Sequence, residues 1–159
     1  IVAVDIEAPK LDLAEKLGAT HVIDASKVDP VSEIMKITSG QGVDYSVEAA
    51  GRVSTIEQAF AAIHKSHGIC LFASHPPFGE KISIDPFELL CGKRILGSNG
   101  GDSHPDRDIP KFVELYACGK LPVEQLVSDS YSLANINQAF LDLQNRKVTR
   151  AMIDFKLVG

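Results

Sequence analysis

Ile1-Val-Ala-Val-Asp5-Ile-Glu-Ala-Pro-Lys10 is a run of small and β-branched apolar residues that stops abruptly at an acid. Such a run reads as a strand buried on both faces of a parallel sheet, its carboxyl end meeting solvent at Asp5. Outward from it, Pro9 fits the first turn of a helix whose apolar face is Leu11, Leu13, Ala14 and Leu17, with Gly18 ending it. His21-Val-Ile-Asp24 reads as a second strand. A helix follows from Asp29-Pro30, with Val31, Ile34 and Met35 at i, i+3 and i+4. Val43 to Val47 is the next strand, ending in Glu48-Ala-Ala-Gly51, and Val53, Ile56, Ala59, Phe60 and Ile63 mark the stripe of another helix. Gly68 to Ala73 is a strand again. Regular alternation of strand and helix predicts an α/β fold, a doubly wound parallel sheet covered by helices on both sides.

Beyond Ala73 the alternation pauses at Ser74-His-Pro-Pro-Phe-Gly79. Lys81 to Ile84 reads as a short extended piece, Phe87 to Cys91 as a brief helix, and Arg94 to Gly97 as a strand near the sheet edge. Pro110 is expected to open a helix that Gly119 closes. Leu126-Val127 with Ser130 to Leu133 reads as a short strand and its exit, Ile136 to Leu143 as the last helix, and Ala151 to Phe155 as the final strand.

Asp5 carries the first functional expectation. In a doubly wound domain the acid at the tip of the second strand accepts hydrogen bonds from the ribose hydroxyls of a dinucleotide and repels the extra phosphate of NADP, which predicts NAD. The first strand and its Gly-x-Gly-x-x-Gly turn belong about twenty residues upstream of such an acid. The 159 residues therefore read as one NAD-binding domain, Rossmann-type, spanning 1–159, lacking its first strand and glycine-rich turn and cut from a longer protein. Because that strand is central in the order 3-2-1-4-5-6, three arrangements are open. Its neighbours close on each other, another copy lends a strand, or the missing piece is present but unrecorded.

The net charge of -5 argues against nucleic-acid or anionic-membrane binding by general electrostatic attraction and leaves open a local basic patch. No apolar run approaches the roughly 20 residues of a membrane span, and no secretory signal pattern opens the chain. Cys70, Cys91 and Cys118 are odd in number and widely spaced, which predicts reduced thiols in a cytoplasmic protein rather than a disulfide framework. His64 and His67 lack an acidic or thiol partner at ligand spacing, so no metal site is expected in this chain.

Several segments, in order, resemble the medium-chain dehydrogenase/reductase family and within it the zinc-dependent alcohol dehydrogenases. They are Val4-Asp5-Ile6 with Lys10, Lys16-Leu-Gly-Ala19, Gly42-Val-Asp-Tyr45 running to Glu48-Ala-Ala-Gly51, Pro86-Phe87 with Gly97, Gly100 and Gly101, and Ile136-Asn-Gln-Ala-Phe140 with Arg150. The resemblance implies a parent enzyme moving a hydride between an alcohol or aldehyde and NAD, with zinc held by a catalytic domain absent from these residues. This chain would supply no catalytic residue and would be inactive alone. It implies Lys10 beside the adenosine ribose, Arg52 near the adenosine half, and Arg150 on the pyrophosphate, with Arg146 and Lys147 able to share that role. Ala73 and His75 correspond to the strand end whose backbone holds the nicotinamide carboxamide; the His75 imidazole departs from the small apolar residue usual there. Glu48 resembles a structural, hydrogen-bonded acid rather than a general base. Phe87 to Cys91 with Arg94 to Leu96 resembles a segment through which coenzyme domains pair, implying a homo-oligomer. Two alternatives stay open: a zinc-free quinone or enoyl reductase of the same superfamily, which Asp5 opposes, and a non-catalytic, self-associating domain.

Overall fold

The computed structural model describes residues 1–157, so the last two positions of the expected 1–159 domain lie outside the described residues. The chain forms two compact units, Ile1–Asp102 and Ser103–Gly159.

In the first unit, strands β1 (Val2–Asp5), β2 (His21–Asp24), β3 (Tyr45–Glu48), β4 (Ile69–Phe72) and β5 (Arg94–Gly97) alternate with helices α1 (Ala8–Lys16), α2 (Pro30–Ile37), α3 (Val53–Ala61) and α4 (Pro86–Leu90). All ladders are parallel, as the crossover helices require. β1 pairs with β2, placing Asp5 opposite Asp24. β4 lies between β3 and β5, with Cys70 opposite Ser46 on one side and Ile95 on the other. This is the pairing of strands 3-2 and 4-5-6 in a doubly wound sheet. No ladder joins β1 to β3 among the described residues, so the neighbours of the expected first strand do not close on each other.

Local chemistry sets the helix starts. Asp29 caps α2 by accepting the Ser32 N–H at 3.0 Å, and Pro30 occupies the first turn, where a missing N–H costs nothing. Asp85 caps α4 in the same way through the Phe87 N–H. Two apolar clusters form the core, one of Ile23, Ile34 and Ala62, the other of Phe60, Ile63 and Cys70. Val43 packs against both. It also forms a bridge to Ile63, and Gly42 just before it approaches the Ala62 and Ile63 backbone so closely that a Cβ there would sit 2.8 Å from the Ala62 carbonyl oxygen. Lys81 to Ile84, expected to be extended, has no ladder partner; the Ser83 N–H instead donates to Glu57 Oε1 at 2.7 Å.

Lys93 is 3% exposed, a placement with no sequence signal. Its Nζ lies 2.9 Å from Glu88 Oε1 and 3.1 and 3.4 Å from the Phe60 and Ala61 carbonyl oxygens, and 4.9 Å from the centre of the Phe60 ring. Those carbonyls end α3 without an intrahelical partner, and a cation there also meets the negative end of the helix dipole.

The second unit contains α5 (Pro105–Ala117), β6 (Asp129–Tyr131), α6 (Ile136–Gln144) and β7 (Ala151–Ile153), with β6 and β7 parallel. Two starts differ from expectation. α5 begins at Pro105 and carries Pro110 inside it, because Pro105 takes the first turn and Asp108 Oδ2 reaches back to accept the His104 N–H at 2.8 Å. Val123–Leu126 coils into a 3-10 turn after Pro122, which delays β6 to Asp129.

Asp24, at the tip of β2, lies 2.6 Å from Lys27 Nζ and accepts the Ser26 N–H at 3.0 Å. The Lys27 ammonium, then Ser26, lowers its pKa from the ordinary 3.8 to about 2. A pKa lower in the folded than in the unfolded chain means that its stabilisation is complete above the unfolded value near 3.9 and is lost as pH falls through about 2. Carboxyl-carbon NMR should show Asp24 titrating near 2 and moving upward in Lys27→Ala; titration near 4 in the unaltered chain would refute the pairing.

Candidate functional site

The carboxyl ends of β1, β3 and β4 carry the expected site residues of the first unit. At β1, the Asp5 side chain folds over its own turn. Its Oδ1 accepts the Ile6 N–H at 2.7 Å and the Glu7 N–H at 3.0 Å. Oδ2 has no partner among the described residues. The carboxylate is thus fixed in direction by one oxygen and open at the other. Opposite it in register, Asp24 spends its charge on Lys27 and Ser26. Lys10, one turn into α1, points its Nζ at Glu7 Oε1, 3.2 Å away. The pair is part-buried and lies within one turn of α1.

At β3 the decisive group is Glu48, only 4% exposed. Its Oε1 accepts the Ala50 N–H at 2.7 Å, the Gly51 N–H at 2.9 Å and the Thr55 hydroxyl at 2.7 Å, while Oε2 accepts the Ser74 hydroxyl at 3.2 Å. No Lys, Arg or His forms an ion pair with it among the described residues. Burial of an unpaired charge is costly, and here hydrogen-bond donors replace the lost water. Four hydrogen bonds thus tie the carboxylate to the turn after β3 and to the loop after β4.

The turn from β3 to α3 touches the loop after β4. Gly51 has φ of 70°, and a Cβ built on it would lie 3.0 Å from the His75 carbonyl oxygen and 3.4 Å from the Ser74 side chain. Arg52 follows as the residue preceding α3, exposed, with no side-chain cap bond. Across the contact, the Ala73 N–H continues the ladder to the Glu48 carbonyl at 2.8 Å. The exposed His75 ring donates Nδ1–H to the Pro76 carbonyl at 2.7 Å, which leaves Nε2 as the acceptor. Arg52, Ala73 and His75 are therefore brought to one place, and Asp5 and Lys10 share the turn after β1. Arg150 belongs to the second unit, just before β7, where its N–H donates to Ser128 Oγ at 3.2 Å and its exposed side chain borders a shallow depression with Val123 and Val127.

Sequence reasoning passed over Ser74, Thr55 and the contact made by Gly51. The Glu48-Ala-Ala-Gly51 string marked the turn, but nothing in spacing shows that a serine 26 residues later reaches the same carboxylate. His64 and His67 stack with ring centroids 3.8 Å apart, and Asp44 Oδ1 lies 2.9 Å from His67 Nε2, an acidic partner invisible at local spacing. Among the described residues no group of three or more His, Cys, Asp or Glu side chains is arranged to hold a metal ion. No helix among them is long and apolar enough to cross a membrane.

Comparison with known proteins fits this arrangement. Residues 1–117 match the family described as zinc-binding dehydrogenase. Over 155 residues, 97% of this chain, the sequence is 34% identical to the probable S-(hydroxymethyl)glutathione dehydrogenase 1 of Schizosaccharomyces pombe, of which it covers 41%. The fold matches benzyl alcohol dehydrogenase from Acinetobacter calcoaceticus with a TM-score of 0.90 at 38% identity, over 96% of this chain and 42% of that one. A protein of Sinorhizobium meliloti 1021, described as a zinc-binding dehydrogenase and bound to NADP, matches with a TM-score of 0.75 at 29% identity, over 87% of this chain and 40% of that one. The chain thus spans about two fifths of the length of these relatives. With parallel strands paired as in a Rossmann-type sheet and a family match over 1–117, the chain belongs to the zinc-binding dehydrogenase family.

Proposed function

We propose that this chain is the coenzyme domain of a homo-oligomeric cytoplasmic alcohol dehydrogenase, inactive by itself, which binds NAD and holds its nicotinamide end for hydride transfer between the coenzyme and an alcohol or aldehyde. The observation that carries this reading is the Asp5 carboxylate, anchored by Oδ1 and unpartnered at Oδ2 at the carboxyl end of a parallel strand. An acceptor so placed suits two vicinal ribose hydroxyls, and its charge disfavours a phosphate on the same ribose. Lys10 and Arg52 are the cations assigned to the adenosine half, Arg150 to the pyrophosphate, and the backbone at Ala73 and His75 to the nicotinamide carboxamide. Free thiols at Cys70, Cys91 and Cys118 support the cytoplasmic setting.

When bound, the coenzyme supplies the hydride donor or acceptor. The part of this chain is orientation: a ring fixed against backbone groups presents one carbon to the substrate and removes the entropy of alignment from the barrier. Zinc needs a donor set of His, Cys, Asp or Glu side chains that the described residues do not form. In this reading both metal and alcohol are held outside these residues. The names of the alcohol and S-(hydroxymethyl)glutathione dehydrogenases among the relatives support the substrate class.

The cofactor preference is the finer point, since one relative carries NADP. Asp5→Asn keeps an oxygen for the Ile6 and Glu7 N–H groups while replacing the open acceptor with a donor and removing the charge. Calorimetric titration should show NAD binding weakened at least about tenfold, as expected for loss of charge-assisted hydrogen bonds, with NADP gaining relative to NAD. Unchanged NAD affinity would overturn the assignment.

The oligomer assignment rests on the outer edge of β5 and the helix before it, where Phe87, Leu90 and Leu96 are 65%, 84% and 50% exposed. An uncovered apolar edge favours pairing. Sedimentation should find a dimer that Leu90→Lys weakens, whereas a monomer at all concentrations would contradict this part of the reading.

A further inference from the structure

Glu48 is buried, carries no cation, and spends both oxygens on hydrogen bonds that end in two different loops. Oε1 gathers the Ala50 and Gly51 N–H groups and the Thr55 hydroxyl, shaping the turn that ends in Arg52. Oε2 takes the Ser74 hydroxyl from between Ala73 and His75. Above this link the two loops approach closely, and a Cβ on Gly51 would lie 3.0 Å from the His75 carbonyl oxygen, so that a side chain there would require the neighbour to give by a few tenths of an ångström. Support of strand β3 alone would not need this division of acceptors. The β3–β4 ladder is already complete through main-chain bonds and continues to the Ala73 N–H. What the ladder leaves free is the spacing between the two loops beyond it.

We propose that Glu48, acting through Ser74, is a positioning residue for the coenzyme: it fixes the separation of the Arg52 turn from the Ala73–His75 loop and so sets the site that the two loops share. This rests on the NAD-binding reading given above. Three features make the assignment specific to this pair. The carboxylate has hydrogen-bond donors on both sides, so its charge is held without a neutralising partner. Ser74 is the one side chain of the second loop that reaches it. At Gly51, where φ is 70° and an added Cβ would lie 3.0 Å from the His75 carbonyl oxygen, the two loops pass close to each other.

The test uses the intact chain with three variants. Ser74→Ala removes the link between the loops and leaves the three bonds at Oε1; Ser74→Thr restores a hydroxyl; Glu48→Gln keeps the shape while losing the charge and one acceptor. Two readouts are taken, NAD affinity by calorimetry and amide hydrogen exchange at Gly51 and Ala73, whose N–H groups are bonded to the Glu48 carboxylate and the Glu48 carbonyl, without coenzyme. Ser74→Ala should weaken NAD about threefold to tenfold, the effect of one lost hydrogen bond, with an unchanged melting temperature. It should also speed exchange at both amides, and Ser74→Thr should recover both readouts. Glu48→Gln should weaken NAD at least as much. Wild-type affinity in Ser74→Ala and Glu48→Gln would overturn the positioning role, as would a lowered melting temperature with affinity unchanged. Lack of NAD binding by the unaltered chain would instead sink the coenzyme reading and this role with it; exchange would then report only whether the loops are tied.

Discussion

Two neighbouring parallel strands cannot be joined by a tight turn, because the chain must return to the starting end of the sheet before the second strand can begin. That constraint organises the first unit. Each return carries a helix, α1, α2 and α3 each bury residues on one face while α4 buries none, and each strand ends on the side from which the next helix departs. β1 with β2, and β3 with β4 and β5, all run in this way. Ile23 and Ile34 from one half, Phe60, Ile63 and Cys70 from the other, and Val43 between them fill the resulting core. Loops at the carboxyl ends are the part of such a sheet left free for chemistry.

Three acids stand at those strand ends, and their surroundings separate them. Asp24 is taken up by Lys27 and Ser26, which lowers its pKa and leaves little acceptor capacity. Glu48 is buried and committed to backbone and hydroxyl donors. Asp5 alone has one oxygen anchored and the other open. Residue type is similar in all three, so the difference lies in what each turn offers: a lysine three residues on at Asp24, two N–H groups and two hydroxyls at Glu48, and only two N–H groups at Asp5. The acid that remains available is the one at the position where a doubly wound domain meets a ribose.

Much of this was legible in the sequence because it depends on local pattern. The strand at Val2–Asp5 with its terminal acid, the Asp-Pro starts of α2 and α4, and the edge position of β5 follow from residues within a few places of one another, but the burial expected of that first strand is not found, since none of its residues is buried and Val4 is exposed. What was not legible is long-range. The Ser74 bond to Glu48 spans 26 residues, and the Lys93 bond to the Phe60 carbonyl spans 33. A buried lysine has the same one-letter signature as a solvated one, and only the packing of α3 against the start of β5 decides between them. Pro110 misled for a related reason. Proline marks a helix start well, but Pro105 and the reach of Asp108 to the His104 N–H had already set the start. The site shows the same division, with Asp5 readable from its strand and the contact of Gly51 with His75 visible only in three dimensions.

The most direct test of the account is to follow backbone amide resonances during titration with NAD. Saturable shifts concentrated at Ile6 to Lys10, Ala50 to Arg52 and Ala73 to His75, with the opposite strand ends at Tyr45, Ile69 and Arg94 unmoved, are the expected result. No saturable shift, or shifts gathered away from the carboxyl ends of β1, β3 and β4, would contradict it.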